Sequence, residues 1–322
     1  MFESIQRPIP EHVEPQAGSG RLELPTLGVA LAIYGGFLLL TWYFQDLPLW
    51  VAAPLGSLLL AWYGSFQHET IHGHPTTSRR INTLLASPPL ALWLPYARYR
   101  EIHLKHHRHG GRYLTDPVRD TESFYLPAGS LESAGRIRQA LYAANCTLMG
   151  RLVLGPALAV MGFWAGEIRR VQSGDRSRFY IWLRHVFGVM AVLAWTVGVC
   201  QVKLAIYVGV VIYPSASLTL LRSFVEHRAH ADQALRTAVV EASPLWGLLF
   251  LNNNLHIAHH AQPGLPWYEL PRAWRQMRGS ACGSRALGAG LVFPGGYFEV
   301  IRSYLFRPFI PVEHPAAAEH LE

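Results

Sequence analysis

Three short stretches of this sequence set histidines where the side chains of a helix would meet. HETIH carries His68 and His72, HLKHH carries His103, His106 and His107, and HIAHH carries His256, His259 and His260. Residues three and four apart share one helix face, so each stretch presents its imidazoles together. A fourth stretch, RSFVEHRAH, adds His227 and His230. Imidazole is the commonest metal-binding side chain, and clustering of this kind predicts metal binding. Eight or nine imidazoles exceed the four ligands of a zinc site. They suit two metals, each with a position left open. Ligand type alone leaves zinc, copper, iron and nickel in play. Cys146, Cys200 and Cys282 are widely separated and form no CxxC pair, which removes iron–sulfur modules and a disulfide framework. A haem would use one or two of the histidines and leave the triplets unexplained.

Neighbouring side chains supply candidates for holding such ligands in place. Asn252 lies one turn before His256, and Glu69, Glu101, Asp116 and Glu226 lie beside the clusters. The four carboxylates could each accept a hydrogen bond from an imidazole N–H, and Asn252 could hold a metal-bound water, orient a ligand or cap the helix of HIAHH. Arg98, Arg100 and Lys105, close to HLKHH, are candidates to hold an anionic head group, set against a plain membrane-side excess of positive charge. His74 and His109 flank the clusters, His230 rivals His227, and His185 opens the third apolar run as an interfacial residue.

The elements that must carry these residues are apolar. Half of the 322 residues are hydrophobic and 15% are charged, against roughly 25% charged in soluble domains. Four stretches free of charge, 24–45, 47–67, 186–202 and 204–221, approach or exceed the ~17–20 residues a spanning helix needs. The first pair joins at Asp46 and the second at Lys203, so each pair reads as a tight helical hairpin. The termini and the middle segment then share one side. Residues 67–180 hold fifteen Arg and Lys and 222–322 hold nine, whereas the hairpin tips hold Lys203 alone. The positive-inside rule makes that shared side cytoplasmic. The net charge of +7 is thereby explained without nucleic acid.

The expected fold is an all-α integral membrane protein. Four transmembrane helices form two hairpins, and a cytoplasmic helical cap holds a histidine-rich dimetal site. One membrane domain covers 1–322, with a tail at 1–23, a first hairpin at 24–67, a cap segment at 68–185, a second hairpin at 186–221 and a last cap segment at 222–322. LLASPPLALWLPY (84–96) and LMGRLVLGPALAVMGFW (148–164) are broken by proline or Gly-Pro and read as interfacial or re-entrant pieces. The first twenty residues, polar and proline-containing, are expected to be poorly ordered. The first apolar run is too long and too poorly flanked for a cleaved signal peptide.

HETIH, HLKHH and HIAHH, separated by a hairpin of spans, resemble the three histidine boxes of the membrane fatty acid desaturase and hydroxylase superfamily, in its bacterial desaturase-like form. The resemblance covers about residues 24–275. It implies a non-haem di-iron site whose ligands are His68, His72, His103, His106, His107, His256, His259 and His260. The superfamily often adds a histidine shortly after the fourth span, matching His227. The position four residues earlier, an asparagine in some members, is Ser223. The spacing HxxHH in the second box is more like desaturases than alkane monooxygenases. The resemblance implies two irons with dioxygen as co-substrate, acting on a fatty acid, acyl-thioester or acyl lipid. Desaturation is the expected outcome. A hydroxylase or alkene-forming decarboxylase is the alternative within the superfamily, and a membrane zinc hydrolase is the alternative outside it. With no CxxC and no HPGG stretch, electrons are expected from a ferredoxin, rubredoxin or cytochrome with its reductase. A bacterial inner membrane is the expected location.

Overall fold

The computed structural model of this protein describes residues 22–315, and the first twenty residues, expected above to be poorly ordered, lie outside the described residues. The first hairpin is α1 (Leu24–Trp42) and α2 (Leu49–Ile71). The segment after it carries α3 (Arg79–Ala86), α4 (Tyr96–His106), α5 (Arg136–Asn145), α6 (Leu148–Val153) and α7 (Gly155–Gln172). The second hairpin is α8 (Arg176–Leu193), prolonged by a π-helical turn to Val199, and a helix made of α9 (Leu204–Ile206), a π-helical turn Tyr207–Ile212 and α10 (Tyr213–Ser223). The last segment holds α11 (Pro244–Leu249), α12 (His256–Ala261), α13 (Leu270–Arg278), α14 (Ala281–Gly288) and α15 (Gly296–Tyr304). Two short strands, β1 (Val239–Val240) and β2 (Val292–Phe293), pair in parallel and tie its ends together.

Among the described residues, four helices are long and apolar enough to cross a membrane: Leu24–Trp42, Leu49–Ile71, Arg176–Val199 and Leu204–Ser223. The third begins ten residues before the expected start at 186. In its first turn Arg178 is buried, and its guanidinium reaches Glu101 at 3.0 Å. Helices in lipid gain little from burying apolar faces against one another, so close approach and hydrogen bonds join them. At Gly56 a Cβ would lie 2.9 Å from Val211. The neighbouring Ser57 Oγ donates to the Ala53 carbonyl and lies 3.2 Å from the Val210 carbonyl oxygen. The cap is different. Its core of Leu148, Val239, Phe250, Leu270, Leu291 and Val300 is buried from water, at about 2 kcal/mol for each large side chain.

The stretch 84–96 is helical only to Ala86 and then irregular. Backbone of that kind persists beside spans only where donors are supplied. Tyr63 Oη donates to the Ala86 carbonyl at 2.8 Å, Tyr207 Oη to Leu90 at 2.6 Å and Trp164 Nε1 to Trp93 at 2.9 Å. His185 Nε2 donates to Leu92 at 2.7 Å and is buried, so it serves as a structural donor. The stretch 148–164 divides at Leu154 into α6 and the longer α7. The buried Glu167 of α7 meets Arg98 at 2.9 Å.

Candidate metal centre

Four chain segments bring nine histidines together in two groups. His68 and His72 come from the end of α2, and His103, His106 and His107 from the end of α4. His256, His259 and His260 come from α12, with His227 from the strand-like segment after α10. The first group is His68, His72, His103, His107 and His259; the second is His106, His227, His256 and His260. Within each group one nitrogen per ring lies within 4.8 Å of all the others. Both triplets are therefore divided. His103 and His107 face one centre while His106 faces the other, and His259 parts from His256 and His260 in the same way.

The ring nitrogens meet as metal ligands would. Nε2–Nε2 distances are 2.9 Å for His72–His103, 3.2 Å for His107–His259, 3.0 Å for His106–His227, 3.0 Å for His227–His256 and 3.1 Å for His256–His260. Nitrogens bound at about 2.1 Å to one ion would stand roughly 3.0–3.4 Å apart for right-angle to tetrahedral geometry.

The protons make the stronger test. A neutral imidazole has one N–H, and several of these rings spend it outward on oxygen. His106 Nδ1 faces Asp120 Oδ1 at 2.8 Å and His103 Nδ1 faces Glu122 Oε1 at 2.9 Å. His227 Nδ1 faces the Arg236 carbonyl at 3.2 Å, and His256 Nδ1 faces the Asn253 carbonyl and side-chain oxygen at 3.2 and 3.1 Å. Their Nε2 atoms then carry bare lone pairs, and those of His227 and His256 point at each other across 3.0 Å. Two acceptors at that distance repel unless a cation stands between them. A proton is disfavoured there. Burial, then His106, lowers the pKa of His227 to about 3, and burial with His227 lowers that of His256 well below the usual range. His106 is raised, because Glu122 and Asp120 outweigh its burial. A proton on His106 would relieve its contact with His227 and leave the His227–His256 contact unrelieved. The donor set fits two metal ions.

The local backbone explains how His227 and the asparagines reach their places. The helix of the fourth span ends at Ser223, short of His227. The chain turns, and His227 pairs with Thr237 across an antiparallel bridge. His230 lies beyond it, exposed, accepting from the Asp232 N–H at 2.9 Å, and takes no part in either group. Leu251 and Asn252 both have left-handed φ, +46° and +54°, a region Asn enters more readily than most residues. This turn aims the next residue inward. Asn253, not Asn252, touches the histidines, through His256 and through His68 Nε2 at 3.4 Å. Asn252 donates to the Trp267 carbonyl and Asn254 to that of Val240.

The carboxylates on the histidines are Asp120 and Glu122, which the sequence reading passed over. Asp116 instead caps the turn at Val118 and Arg119, at 2.8 and 3.0 Å. Burial opposes ionisation of Glu122, but His103 and His106 hold its carboxyl well below the carboxylate range. Glu226 lies 3.6 Å from His256 Nδ1 and 2.6 Å from Arg222, and burial raises its pKa. Glu101 faces away from the histidines. Burial works against its charge, but bonds from Arg178, Lys105 and Arg98 hold it down at about 2. Those bonds occupy two of the residues expected to bind a head group: Arg98 pairs with Glu101 and Glu167, and Lys105 with Glu101. Arg100 is half-buried, without an ion pair among the described residues. His109 is exposed.

Glu69 joins a separate buried group with Glu23 and His74. His74 Nδ1 meets Glu23 Oε1 at 2.6 Å, and its Nε2 lies 3.9 Å from Glu69 Oε1. Burial lowers the pKa of His74, but the Glu23 hydrogen bond and the Glu69 charge raise it overall. Carboxylates, not other imidazoles, surround this ring.

Among curated proteins, none matches this chain. The model of the family described as fatty acid desaturase matches residues 47–287, a range that contains both histidine groups and three of the four apolar helices. That match makes the protein an oxidoreductase of fatty acyl chains in a membrane setting. The chain belongs to the fatty acid desaturase family.

Proposed function

We propose that this protein is a di-iron enzyme that uses dioxygen to oxidise an unactivated C–H bond of a fatty acyl chain, with desaturation as the outcome. The observation that carries the reading is the division of nine histidines into groups of five and four with bare nitrogens facing inward. His68, His72, His103, His107 and His259 would hold one iron; His106, His227, His256 and His260 would hold the other. Iron is favoured over the other metals imidazole serves by the family to which the boxes belong. When bound, the two irons supply an oxidant able to remove hydrogen from a methylene group.

The protein's own contribution is orientation and exclusion of water. Asp120 and Glu122 keep the Nδ1 protons of His106 and His103 outward, which fixes the rings and raises their basicity as ligands. The spans supply apolar surroundings for the chain. The bias of Arg and Lys toward the cap supports a site on the cytoplasmic face, in a bacterial inner membrane on this reading. Electrons would come from a ferredoxin, rubredoxin or cytochrome steered to the basic cap by charge. Cys146 and Cys200 are buried and unpaired and offer no redox pair of their own.

The test is expression in a host of simple lipid composition, followed by mass spectrometry of its acyl chains and metal analysis of the purified protein. A new double bond with two irons per chain is expected. A hydroxylated chain or a terminal alkene would assign the hydroxylase or decarboxylase alternative. One zinc with no iron after anaerobic handling, and no lipid change, would favour a zinc hydrolase instead.

A further inference from the structure

Two cavities adjoin along α11. One is a groove of 330 Å³ between α11 and α2, walled by Leu55, Leu58 and Trp62 on one side and Leu245, Trp246 and Leu248 on the other. Its lining residues are aliphatic or tryptophan throughout. Leu55 and Leu58 belong to a membrane-spanning helix and are exposed at its surface, as are Leu245 and Leu248 on α11. Ser65 Oγ bonds the Leu249 carbonyl at 2.9 Å and holds α11 against the span. The groove therefore opens at membrane depth, where acyl chains rather than water surround it.

The second cavity, of 470 Å³, shares Leu248 with the first and lies on its cap side. Its wall is polar as well as apolar, with Ser243, Asn252, Asn254, Trp267 and Arg275 among the lining residues. A side chain at Gly247 would collide with Asn252, since a Cβ there would stand 2.6 Å from Asn252 Oδ1. Among the described residues, Asn254 Oδ1 and Trp267 Nε1 are buried in this wall without a hydrogen-bond partner, an uncommon state for buried polar atoms. Glu241 is neutralised by Arg278 at 2.6 Å. Arg275 is exposed and has no ion pair among the described residues, so it is the cavity's one uncompensated charge.

We infer that the two cavities form a single site for an acyl amphiphile with a monoanionic head. The tail lies in the α2–α11 groove, and the head group meets Arg275 in the polar cavity. A lone guanidinium suits one carboxylate or phosphodiester and is poorly matched to a head bearing several phosphates. The position also suits a substrate. Asn253, between the two asparagines of the cavity wall, touches His68 and His256, so the cavity backs onto the metal centre across one residue. The inference rests on the acyl-oxidising reading above and replaces Arg98 and Lys105 as the head-group residues.

The test uses metal-loaded protein in phosphatidylcholine nanodiscs, kept anaerobic and without an electron donor so that no turnover occurs. Binding of 9,10-dibromostearate and of a dibrominated phosphatidylglycerol is read as quenching of tryptophan fluorescence, with dibromostearyl alcohol as the neutral probe. Quenching by an anionic probe is expected to shrink in Trp246→Phe. Arg275→Gln should weaken that anionic probe about tenfold and leave the alcohol unchanged. Leu58→Trp and Leu248→Trp, on opposite walls, should weaken both, provided each elutes as a monodisperse complex. Whichever anionic probe shows the Arg275 dependence names the head group. The proposal is overturned if neither does, if Arg275→Gln weakens the alcohol equally, or if both filled variants bind normally. A protein lacking iron or acyl oxidation would overturn the functional reading and leave the quenching result standing.

Discussion

His74 and His256 are buried to nearly the same degree, 1% and 2% exposed, yet their surroundings are built in opposite senses. Around His74 carboxylate oxygens flank both sides of the ring: Glu23 bonds Nδ1 at 2.6 Å, and Glu69 lies 3.9 Å from Nε2, which has no hydrogen-bond partner among the described residues. Around His256 the oxygen acceptors sit only on Nδ1, and the other nitrogen faces His227 and His260 at 3.0 and 3.1 Å. Burial is common to both, so it cannot be what marks a metal site. The side on which the proton is held makes the difference. Oxygen on both faces of an imidazole stabilises a proton, whereas oxygen on one face and nitrogen on the other leaves a lone pair that only a cation satisfies. The comparison therefore expects two metals per chain and not three.

The largest effect should come from the inward nitrogens. His227→Ala removes a ring whose Nε2 meets both His106 and His256, and it should reduce two irons per chain to one and abolish turnover. Metal analysis of monodisperse detergent complexes is the measurement. Retention of both irons would take His227 out of the ligand set. One step outward, Asp120→Asn and Glu122→Gln remove the oxygens that hold His106 and His103. A loss of 10–100-fold in activity or metal affinity is expected for such partners, with folding intact. If these variants equal the parent, the orientation of the protons is not what prepares the site.

The other side of the comparison is broken by Glu23→Gln or His74→Asn. Each removes one side of the buried Glu23–His74 contact, at a cost of about 3–5 kcal/mol if the pair is charged, so the thermal unfolding midpoint should fall. The metal count should remain two. A parent protein with a third equivalent that vanishes in His74→Asn would show that a metal, not a proton, balances this group.

The periodic features of this molecule were legible in its residues, and the features made by distant contacts were not. Helical spacing announced that His103, His106 and His107 would share a face. It could not announce that they would be divided between two centres, because that depends on how α2, α4 and α12 approach. The helix of the third span starts ten residues before the charge-free stretch, and its buried Arg178 meets Glu101, 77 residues earlier in the chain, a contact no local pattern announces. Asp120 was missed in favour of Asp116 because the choice is made by a turn, in which the Thr115 N–H bonds Asp120 at 2.8 Å and directs it at His106. Asn252 was preferred to Asn253 on helical spacing. The two left-handed residues before Asn253 break that spacing.

The smallest effects test whether nearness in sequence counts for anything by itself. His230 lies three residues from His227 and Asp116 four from Asp120, and both were reasonable candidates before their surroundings were known. His230 is exposed and bonded to its own loop at Asp232, and Asp116 spends its oxygen on two backbone N–H groups at an exposed turn. Neither faces a lone pair of the centre. His230→Ala should keep both irons and full turnover, with stability changed by no more than about 0.5 kcal/mol. Asp116→Asn can still accept both backbone hydrogens through its side-chain oxygen and should do the same. The informative measurement is iron per chain for these two variants beside His227→Ala and Asp120→Asn, prepared in one batch. Loss of iron from His230→Ala with retention in His227→Ala would exchange the two residues and undo the assignment of the four-histidine group.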